Sequence, residues 1–272
     1  MIVVTGATGN VGRPLMELLG DKARGVSRPE VDLARPETLE PVLNDAEALF
    51  LLFGGSLLGP DTDIAGLLDV AKAGGVRRVV LLSSQGAGTR PGMVPHSRLA
   101  SFEEAVRQSS LEWTILRPSG FFTNAYAWAG GVAAAPFADV ALPFVDPVDI
   151  AAVAAAALQG GHERRTYVLT GPEALSYANV AERVSEVFAR QVDYENQTAS
   201  RARKAMLDSG LDHWAAEGRL ELFEWIRQGG ADTVTTAVRE VTGADPRPIE
   251  DWLENARAGF TGPPPDTPPP PF

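Results

Sequence analysis

Residues 5–12 read Thr-Gly-Ala-Thr-Gly-Asn-Val-Gly, and the segments on either side of this stretch decide the fold. Before it, Ile-Val-Val-Thr at 2–5 is a short β-branched run without a polar face, which is typical of a strand buried on both sides. After it, residues 13–19 have the apolar spacing of a helix, and Gly20 ends that helix. A strand, a glycine-rich turn and a helix in this order predict the first unit of a doubly wound α/β fold.

The chemistry of a phosphate-binding turn explains the three glycines. Gly6 permits the sharp turn out of the strand, Gly9 lets the backbone approach a pyrophosphate, and Gly12 lets the helix pack closely on the sheet. The unpaired N–H groups at the start of the helix then face the phosphates. The alternative is a glycine-rich turn that binds nothing.

The same alternation of strands and helices continues along the first half of the chain. Strands are predicted at 23–27, 48–53, 78–83 and 112–117, and helices at 36–44, 61–73 and 97–109. Such a pattern indicates right-handed βαβ crossovers. We therefore expect an α/β fold with a Rossmann-type doubly wound parallel sheet.

Beyond Pro118 the pattern is less regular and becomes mostly helical. We predict a turn into a helix over 145–159, a strand at 165–171, and helices at 176–189, 199–209, 213–228 and 231–241. The expected organisation is a dinucleotide-binding domain over 1–150, a smaller substrate or lid region over 151–260, and a proline-rich tail over 261–272. That tail is expected to be disordered, although polyproline II docking is an alternative.

Composition excludes several classes of protein. Twenty-four Lys and Arg against 35 Asp and Glu give a net charge of −11, which argues against a nucleic-acid partner. The absence of cysteine removes disulfides, thiolate metal sites and a cysteine nucleophile, and three scattered histidines make no metal cage. No signal peptide or membrane span is apparent, so we expect a cytoplasmic protein, monomeric or homodimeric, without a metal or membrane partner.

The end of the second strand bears on the choice of cofactor. It reads Val26-Ser27-Arg28-Pro29, without an acidic residue that would bind the ribose hydroxyls of NAD. Ser27 can donate a hydrogen bond and Arg28 can pair with a 2′-phosphate, which favours NADP(H) over NAD(H). The alternative for Arg28 is a solvated loop arginine.

Further candidates follow other strands, at the edge where ligands bind in open α/β sheets. Asp32 and Leu33, after a short third strand, are expected beside the adenine, although Asp32 is also suited to cap a helix. The remaining candidates of this kind end the strands at 48–53 and 78–83: Phe53, Gly54, Ser83, Ser84 and Gln85.

Four segments, in this order, carry a family resemblance: TGATGNVG, SSQG at 83–86, EWTILRPSGFFTNA at 112–125, and VDPVDIAAVAAAAL followed by RTYVLTGPEALSYANVA. The chain resembles the NmrA-like family of atypical short-chain dehydrogenases/reductases, from residue 1 to about 255. This family includes NADPH-dependent quinone oxidoreductases and redox-sensing regulators.

The resemblance implies positions for the cofactor. Arg28 would bind the 2′-phosphate, and Phe53 and Ser83 would flank the nicotinamide ribose. The phosphates would lie on Gly6, Thr8, Gly9, Asn10, Val11 and Gly12. The nicotinamide would be covered by Pro118, Ser119, Gly120 and Phe121.

The Tyr-x-x-x-Lys pair of typical short-chain dehydrogenases is absent. His96 stands in the tyrosine position and Ala100 where the lysine belongs. His96 can donate a proton at neutral pH and is the catalytic candidate, although it is also placed to cap the following helix. Arg98 can stabilise negative charge on a substrate, and Ser83 or Ser84 can polarise an acceptor or simply satisfy the backbone.

These features favour an NADPH-dependent oxidoreductase that reduces a small conjugated or aromatic acceptor such as a quinone. Delocalised anions need a proton donor less than simple alkoxides do. Phe121, Phe122, Tyr126 and Trp128 supply an aromatic pocket for such an acceptor, or form ordinary interdomain core. The main alternative is a non-catalytic NADP(H)-sensing regulator that acts through a protein partner; a sugar-nucleotide epimerase is disfavoured by the absent tyrosine base.

Overall fold

A computed structural model describes residues 1–54, 62–87, 96–128, 132–135, 140–189 and 191–261. The strands are β1 (Ile2–Thr5), β2 (Ala23–Val26), β3 (Ala48–Leu52), β4 (Arg78–Leu82), β5 (Glu112–Pro118), β6 (Val132–Ala135), β7 (Arg165–Leu169) and β8 (Asp193–Asn196). The α-helices are α1 (Gly12–Leu19), α2 (Ile64–Ala73), α3 (His96–Gln108), α4 (Pro147–Gln159), α5 (Tyr177–Phe188), α6 (Ala199–Asp208), α7 (His213–Arg227), α8 (Ala237–Thr242) and α9 (Ile249–Thr261).

Six strands form the main sheet in the order β2-β1-β3-β4-β5-β7, and every neighbouring pair is parallel. The predicted Rossmann-type α/β fold is therefore confirmed. From β1 the chain passes through α1 to β2 on one side, and then crosses to β3 on the other. Ligands of such sheets bind at this reversal, outside the carboxyl ends of β1 and β3.

The strands bury both faces, as their continuous apolar sequences require. In β3, Leu49 and Leu51 pack on the layer that contains α2 and α3, whereas Ala48 and Phe50 pack on the layer that contains α1 and α4. Because successive side chains alternate between faces, one short strand anchors both helical layers.

The predicted short strand before Asp32 is wrong. Residues 27–35 form turns, and β2 is the edge of the described sheet. This connection is too short for a crossover to a further parallel strand. The predicted helix at 36–44 is instead a 3₁₀ helix, Pro36–Val42, because Pro41 inside it has no N–H to donate.

The predicted helix over 231–241 is also wrong in its first half, because α8 begins only at Ala237. Thr235 is held to the edge of the sheet instead. Its N–H donates to Thr170 Oγ1 at 2.9 Å, and its hydroxyl donates to the Val168 carbonyl at 2.6 Å. The predicted start of α2 at Asp61 lies outside the described residues; Asp63 caps the helix by accepting from the Gly66 N–H.

A second core lies in the mostly helical part of the chain, which we call the helical region (residues 175–261). Most of its buried residues come from α5, α7 and α9, and they pack on Phe122, Ala125, Leu142 and Phe144. The sequence analysis did not predict α9, nor β6 and β8, which form a small parallel sheet.

The boundary proposed at residue 150 falls inside α4, and β7 belongs to the main sheet. We therefore propose that the dinucleotide-binding unit extends to about residue 170 and that the helical region follows. Helix α9 runs to Thr261, and the rest of the proline-rich tail lies outside the described residues. Among the helices described, none has both the length and the hydrophobicity of a membrane span.

Candidate functional site

The glycine-rich loop is fixed to the sheet by its first residue. The Thr5 hydroxyl donates to the Phe50 carbonyl and accepts from the Leu52 N–H, each at 3.0 Å. Gly6 then turns the chain with φ of +66°, a conformation that favours glycine. The Gly9 N–H donates to the Gly6 carbonyl at 3.0 Å and closes the turn.

Close packing at the start of α1 explains the last glycine of the motif. A Cβ on Gly12 would lie 2.1 Å from the Gly6 carbonyl oxygen, which is backbone and has no room to yield. A Cβ on Gly9 would approach the same oxygen only to 3.3 Å and would otherwise point into open space. Gly12 therefore shapes the loop, whereas Gly9 keeps its outer surface clear.

The start of α1 has the chemistry of an anion site. No side chain of the described residues caps the helix, and its first turn contains no acidic residue. Arg13 in this turn and Arg28 after β2 are both exposed, and neither forms an ion pair within the described part of the chain. Uncapped N–H groups and two free cations fit the phosphates of a dinucleotide.

A hydrogen bond joins the glycine loop to the segment after β5. Asn10 Nδ2 donates to Thr123 Oγ1 at 3.2 Å, although the two residues are far apart in sequence. Thr123 and its neighbour Asn124 are buried, and Asn124 Nδ2 has no hydrogen-bond partner among the described residues. Sequence analysis placed Asn10 but missed Thr123 and Asn124, because nothing local shows that their segment returns to the loop.

The adenosine side of the candidate site consists of turns. The Ser27 carbonyl accepts from the Val31 N–H, and Asp32 Oδ1 accepts from the Ala34 N–H at 3.1 Å. Asp32 also pairs with Arg35, so its carboxylate stabilises the turn. Leu33 is buried in the sheet's hydrophobic core.

The candidate residues at the carboxyl ends of β3 and β4 differ in burial. Phe53 is buried against Phe102, with ring centroids 4.7 Å apart, whereas Gly54 is exposed. Ser84 Oγ accepts from the Gly86 N–H at 3.2 Å, as expected for a hydroxyl that satisfies the backbone. Gln85 donates its backbone N–H to the Pro118 carbonyl, and its buried Oε1 has no partner in the part of the chain that the structure describes.

Ser83 belongs to a buried charged cluster that sequence analysis missed. Its hydroxyl donates to Glu103 Oε1 at 2.5 Å. Glu103 is completely buried and accepts from Arg117 Nε and Nη2 at 2.8 and 2.5 Å, and from Arg107 at 2.8 Å. The cluster thus ties the end of β4, α3 and β5 together at the carboxyl edge of the sheet.

Hydrogen bonding keeps Glu103 ionised. Burial alone would raise the pKa of its carboxyl, but the bonds from Arg117 and Ser83 and the charge of Arg117 outweigh burial and lower it. Since a carboxylate can only accept, the Ser83 proton is committed to Glu103. The Ser83 oxygen still presents lone pairs to a ligand donor.

The segment after β5 is held by its backbone. Ser119 is buried and donates its hydroxyl to the Pro143 carbonyl at 2.8 Å, so it serves packing. The Gly120 carbonyl accepts from the Val145 N–H, and Phe121 is partly buried beside it. Pro118, the last residue of β5, pairs in register with Leu169.

Two of the four aromatic candidates pack inside the helical region. Phe122 and Tyr126 both contact Trp252 of α9, at ring-centroid distances of 5.9 and 5.2 Å. Phe122 is buried, as the interdomain-core alternative expects, whereas Tyr126 stays partly open. Burial raises the pKa of Tyr126, and its hydroxyl therefore stays protonated at neutral pH.

The catalytic and charged candidates are only partly described. His96 is the first residue of α3. The structure describes its backbone and that of Trp128, but not their side chains. Arg98 Nη2 donates to the Thr62 carbonyl at 3.2 Å, and the guanidinium lies 5.3 Å from the Phe102 ring centroid. Arg98 is thus already engaged in packing α3 against the start of α2.

Comparisons with known proteins agree with this geometry. Residues 21–160 match a family model described as NAD(P)H-binding. The chain is 34% identical to a Streptomyces griseus (4-alkanoyl-5-oxo-2,5-dihydrofuran-3-yl)methyl phosphate reductase, over 95% of this chain and 99% of that one. It is 30% identical to an NAD(P)H azoreductase of Xenophilus azovorans, over 95% and 97% of the two chains.

A solved structure shows the same fold. The NADPH-dependent quinone oxidoreductase of Escherichia coli, complexed with NADPH, aligns with a TM-score of 0.80 at 22% identity, over 94% of this chain and 99% of that one. The family model begins after the glycine loop, but the two relatives extend over almost the whole chain. The chain belongs to the NAD(P)H-binding family of NmrA-like, atypical short-chain dehydrogenases/reductases and is an NAD(P)H-dependent oxidoreductase.

Proposed function

We propose that this oxidoreductase uses NADPH in preference to NADH and reduces a small conjugated acceptor, such as a quinone, an azo compound or an unsaturated lactone. The azoreductase and the dihydrofuranone phosphate reductase among its relatives act on compounds of this kind. In each, two added electrons produce an anion that spreads over a conjugated system. Such acceptors suit a protein without the Tyr-x-x-x-Lys pair.

The observation that carries the proposal is the hydrogen bond between Asn10 and Thr123. It brings the phosphate-binding loop and the segment containing Phe121 and Tyr126 to one point at the carboxyl edge of the sheet. This contact supports a cofactor whose phosphates lie on the loop and an aromatic acceptor that lies beside them.

In this proposal the chain's own residues bind and orient the cofactor and protonate the reduced acceptor. The first turn of α1 and Arg13 would hold the pyrophosphate, and Arg28 the 2′-phosphate. Ser83, oriented by Glu103, would accept a hydrogen bond from the cofactor. When bound, the reduced nicotinamide supplies the hydride. His96 at the start of α3 would donate the proton to the reduced acceptor.

The proposed reaction is tested by following NADPH absorbance with a panel of quinones and azo dyes. We expect turnover by the wild-type protein, and a kcat lower by about 10²-fold in His96→Ala because a general acid is removed. The NADPH Kd should not change. His213→Ala, which removes an exposed histidine at the start of α7, is the matched control and should leave kcat unchanged.

Two outcomes would contradict parts of this proposal. Tight NADPH binding without turnover of any acceptor would favour the regulator alternative, in which cofactor state alters a surface for a protein partner. Equal kcat values for wild type and His96→Ala would remove His96 from catalysis and leave the oxidoreductase assignment intact.

Cofactor preference depends on Arg28. In Arg28→Glu we expect the Kd for NADPH to rise about 30- to 100-fold, because a charge-assisted pair with the 2′-phosphate becomes a repulsion. The Kd for NADH should rise less than about threefold. Fluorescence titration measures both. Arg165→Glu makes the same charge change in β7, at the opposite edge of the sheet, and should change neither Kd. If Arg28→Glu weakened the binding of both cofactors equally, the 2′-phosphate assignment would be ruled out.

A further inference from the structure

The start of α4 is bound to the segment that carries the aromatic candidates for the acceptor site. The Phe122 N–H donates to the Val145 carbonyl at 3.1 Å, and the Val145 N–H donates to the Gly120 carbonyl at 2.9 Å. Asp146, the next residue, caps α4 with its side chain. The first turn of α4 is therefore fixed directly beside this segment.

A buried carboxylate in the same turn binds the chain just before α9. Asp149 is buried, and a single residue, Arg247, donates to both of its oxygens. Oδ2 accepts from the Arg247 backbone N–H at 2.7 Å, and Oδ1 accepts from the guanidinium. Arg247 lies between α8 and α9, and α9 begins two residues later at Ile249. The Asp149–Arg247 pair therefore fixes where α9 starts relative to α4.

The first turn of α9 carries an aromatic ring to the acceptor candidates. Trp252 lies against Tyr126 and Phe122, with ring centroids 5.2 and 5.9 Å apart. Ile249 and Leu253 of the same helix are completely buried in the core of the helical region. The Trp252 ring is thus part of a rigid packing arrangement, and its position depends on where α9 begins.

A second ion pair on α9 is much more exposed. Glu250 accepts from Arg183 of α5 at 2.7 Å, but the Glu250 side chain is 51% exposed, and surface pairs of this kind contribute little. The Asp149 side chain is only 5% exposed. Because a buried carboxylate that loses its partner is costly, Asp149 constrains the start of α9 more strongly than Glu250 does.

We propose that Asp149 and Arg247 are positioning residues for the acceptor. Their pairing holds α9 where Trp252 supports the Tyr126 ring, on which a conjugated acceptor stacks. This assignment rests on the proposed function, in which the start of α1 and Arg28 bind the cofactor. Loss of the Asp149–Arg247 pair therefore weakens binding of the acceptor and leaves binding of the cofactor intact.

Dye binding tests the assignment without turnover. Methyl yellow, a neutral azobenzene, is titrated spectroscopically into the NADP⁺-saturated protein. We expect Asp149→Asn to raise the Kd for methyl yellow about 10-fold, because the charge-assisted bond is lost and Trp252 is displaced. The Kd for NADPH, measured by fluorescence titration, should rise less than about threefold.

Two further variants accompany Asp149→Asn. Arg247→Gln is milder, because the half-exposed guanidinium is removed and the backbone N–H bond to Asp149 remains; it should raise the Kd for methyl yellow about threefold to tenfold. Arg239→Gln is the matched control. It breaks an exposed ion pair between Arg239 and Asp245, just before Arg247 in the chain, and should change neither Kd.

A double-mutant cycle shows whether Asp149 acts through Trp252. Trp252→Leu removes the ring and should raise the Kd for methyl yellow about 10-fold. Adding Asp149→Asn to Trp252→Leu should raise this Kd by less than about twofold more, because the ring that the pair positions is already absent. Independent roles would instead multiply the two effects.

Several results would overturn the assignment. These are equal weakening of methyl yellow and NADPH in Asp149→Asn, unchanged methyl yellow binding in both Asp149→Asn and Arg247→Gln, multiplied effects in the cycle, or a wild type that reduces quinones but binds no methyl yellow. Failure of the proposed function looks different. A protein that binds methyl yellow in dependence on Asp149 but reduces no acceptor would contradict the reductase proposal and preserve the positioning role.

Discussion

Glu103→Gln is expected to lower the free energy of unfolding by about 3 kcal/mol, a large fraction of the stability of an ordinary domain. The substitution removes the charge that Arg117 and Arg107 share, and leaves both guanidiniums facing a neutral amide in a partly buried place. The Ser83 hydroxyl also loses its strongest acceptor. Guanidinium chloride unfolding, followed by circular dichroism, measures the change.

The neighbouring Glu104 provides the matched control. It is exposed on the same helix and, among the described residues, accepts only from Gln108, so Glu104→Gln should change the free energy of unfolding by less than about 0.5 kcal/mol. Equal effects of the two substitutions would show that the cluster around Glu103 contributes nothing beyond an ordinary surface pair.

The pH dependence of this difference has a defined sign. The pKa of Glu103 is lowered by folding from an ordinary value of 4.5, so its contribution to stability is complete above pH 4.5 and is lost as the pH falls through the folded-state pKa. We therefore expect the stability gap between wild type and Glu103→Gln to be widest near neutrality and to narrow in acid. A gap that stayed constant down to pH 3 would contradict the lowered pKa.

The same cluster shows what sequence analysis misses. The glycine loop was predictable because the strand, the turn and the helix are contiguous and each glycine has a local reason. Ser83 was recognised as a residue at the end of a strand, but its partner Glu103 lies on the following helix, and Arg117 on the next strand. Pairings of this kind depend on which helix face meets which strand, and a pattern of apolar spacing does not encode that.

The misplaced elements have similar causes. The strand expected before Asp32 does not form, because residues 27–35 contain only turns. The threonine-rich start of the helix predicted at 231 is not helical, because Thr235 forms hydrogen bonds with Thr170 and Val168 instead. In both places a tertiary contact or chain length overrides local propensity.

The second large effect is expected in the glycine loop, where Gly12 is tightly surrounded by backbone atoms and Gly9 is not. In Gly12→Ala the new Cβ would lie 2.1 Å from the Gly6 carbonyl oxygen and 2.8 Å from the Ala7 Cα. Neither atom can move without breaking the turn or lifting α1 from the sheet. We expect a loss of about 1–3 kcal/mol of folding stability or more, together with loss of NADPH binding.

Gly9→Ala should behave differently, although it is the same substitution three residues earlier. Its Cβ would meet only the Gly6 carbonyl oxygen, at 3.3 Å, so folding stability should change by less than about 1 kcal/mol. The added methyl group would stand on the surface where the pyrophosphate is expected, and the Kd for NADPH should rise about 10- to 100-fold as charge-assisted bonds to backbone N–H groups are lost.

Thermal unfolding without cofactor and fluorescence titration with NADPH measure the two properties separately. If the loop binds a dinucleotide, Gly12→Ala fails in both measurements and Gly9→Ala only in the titration. A loop that merely connected β1 to α1 would tolerate Gly9→Ala in both, and unchanged NADPH binding in that variant would place the cofactor elsewhere. Because the two variants differ only in which surface the methyl group occupies, the contrast between them isolates the ligand from the fold.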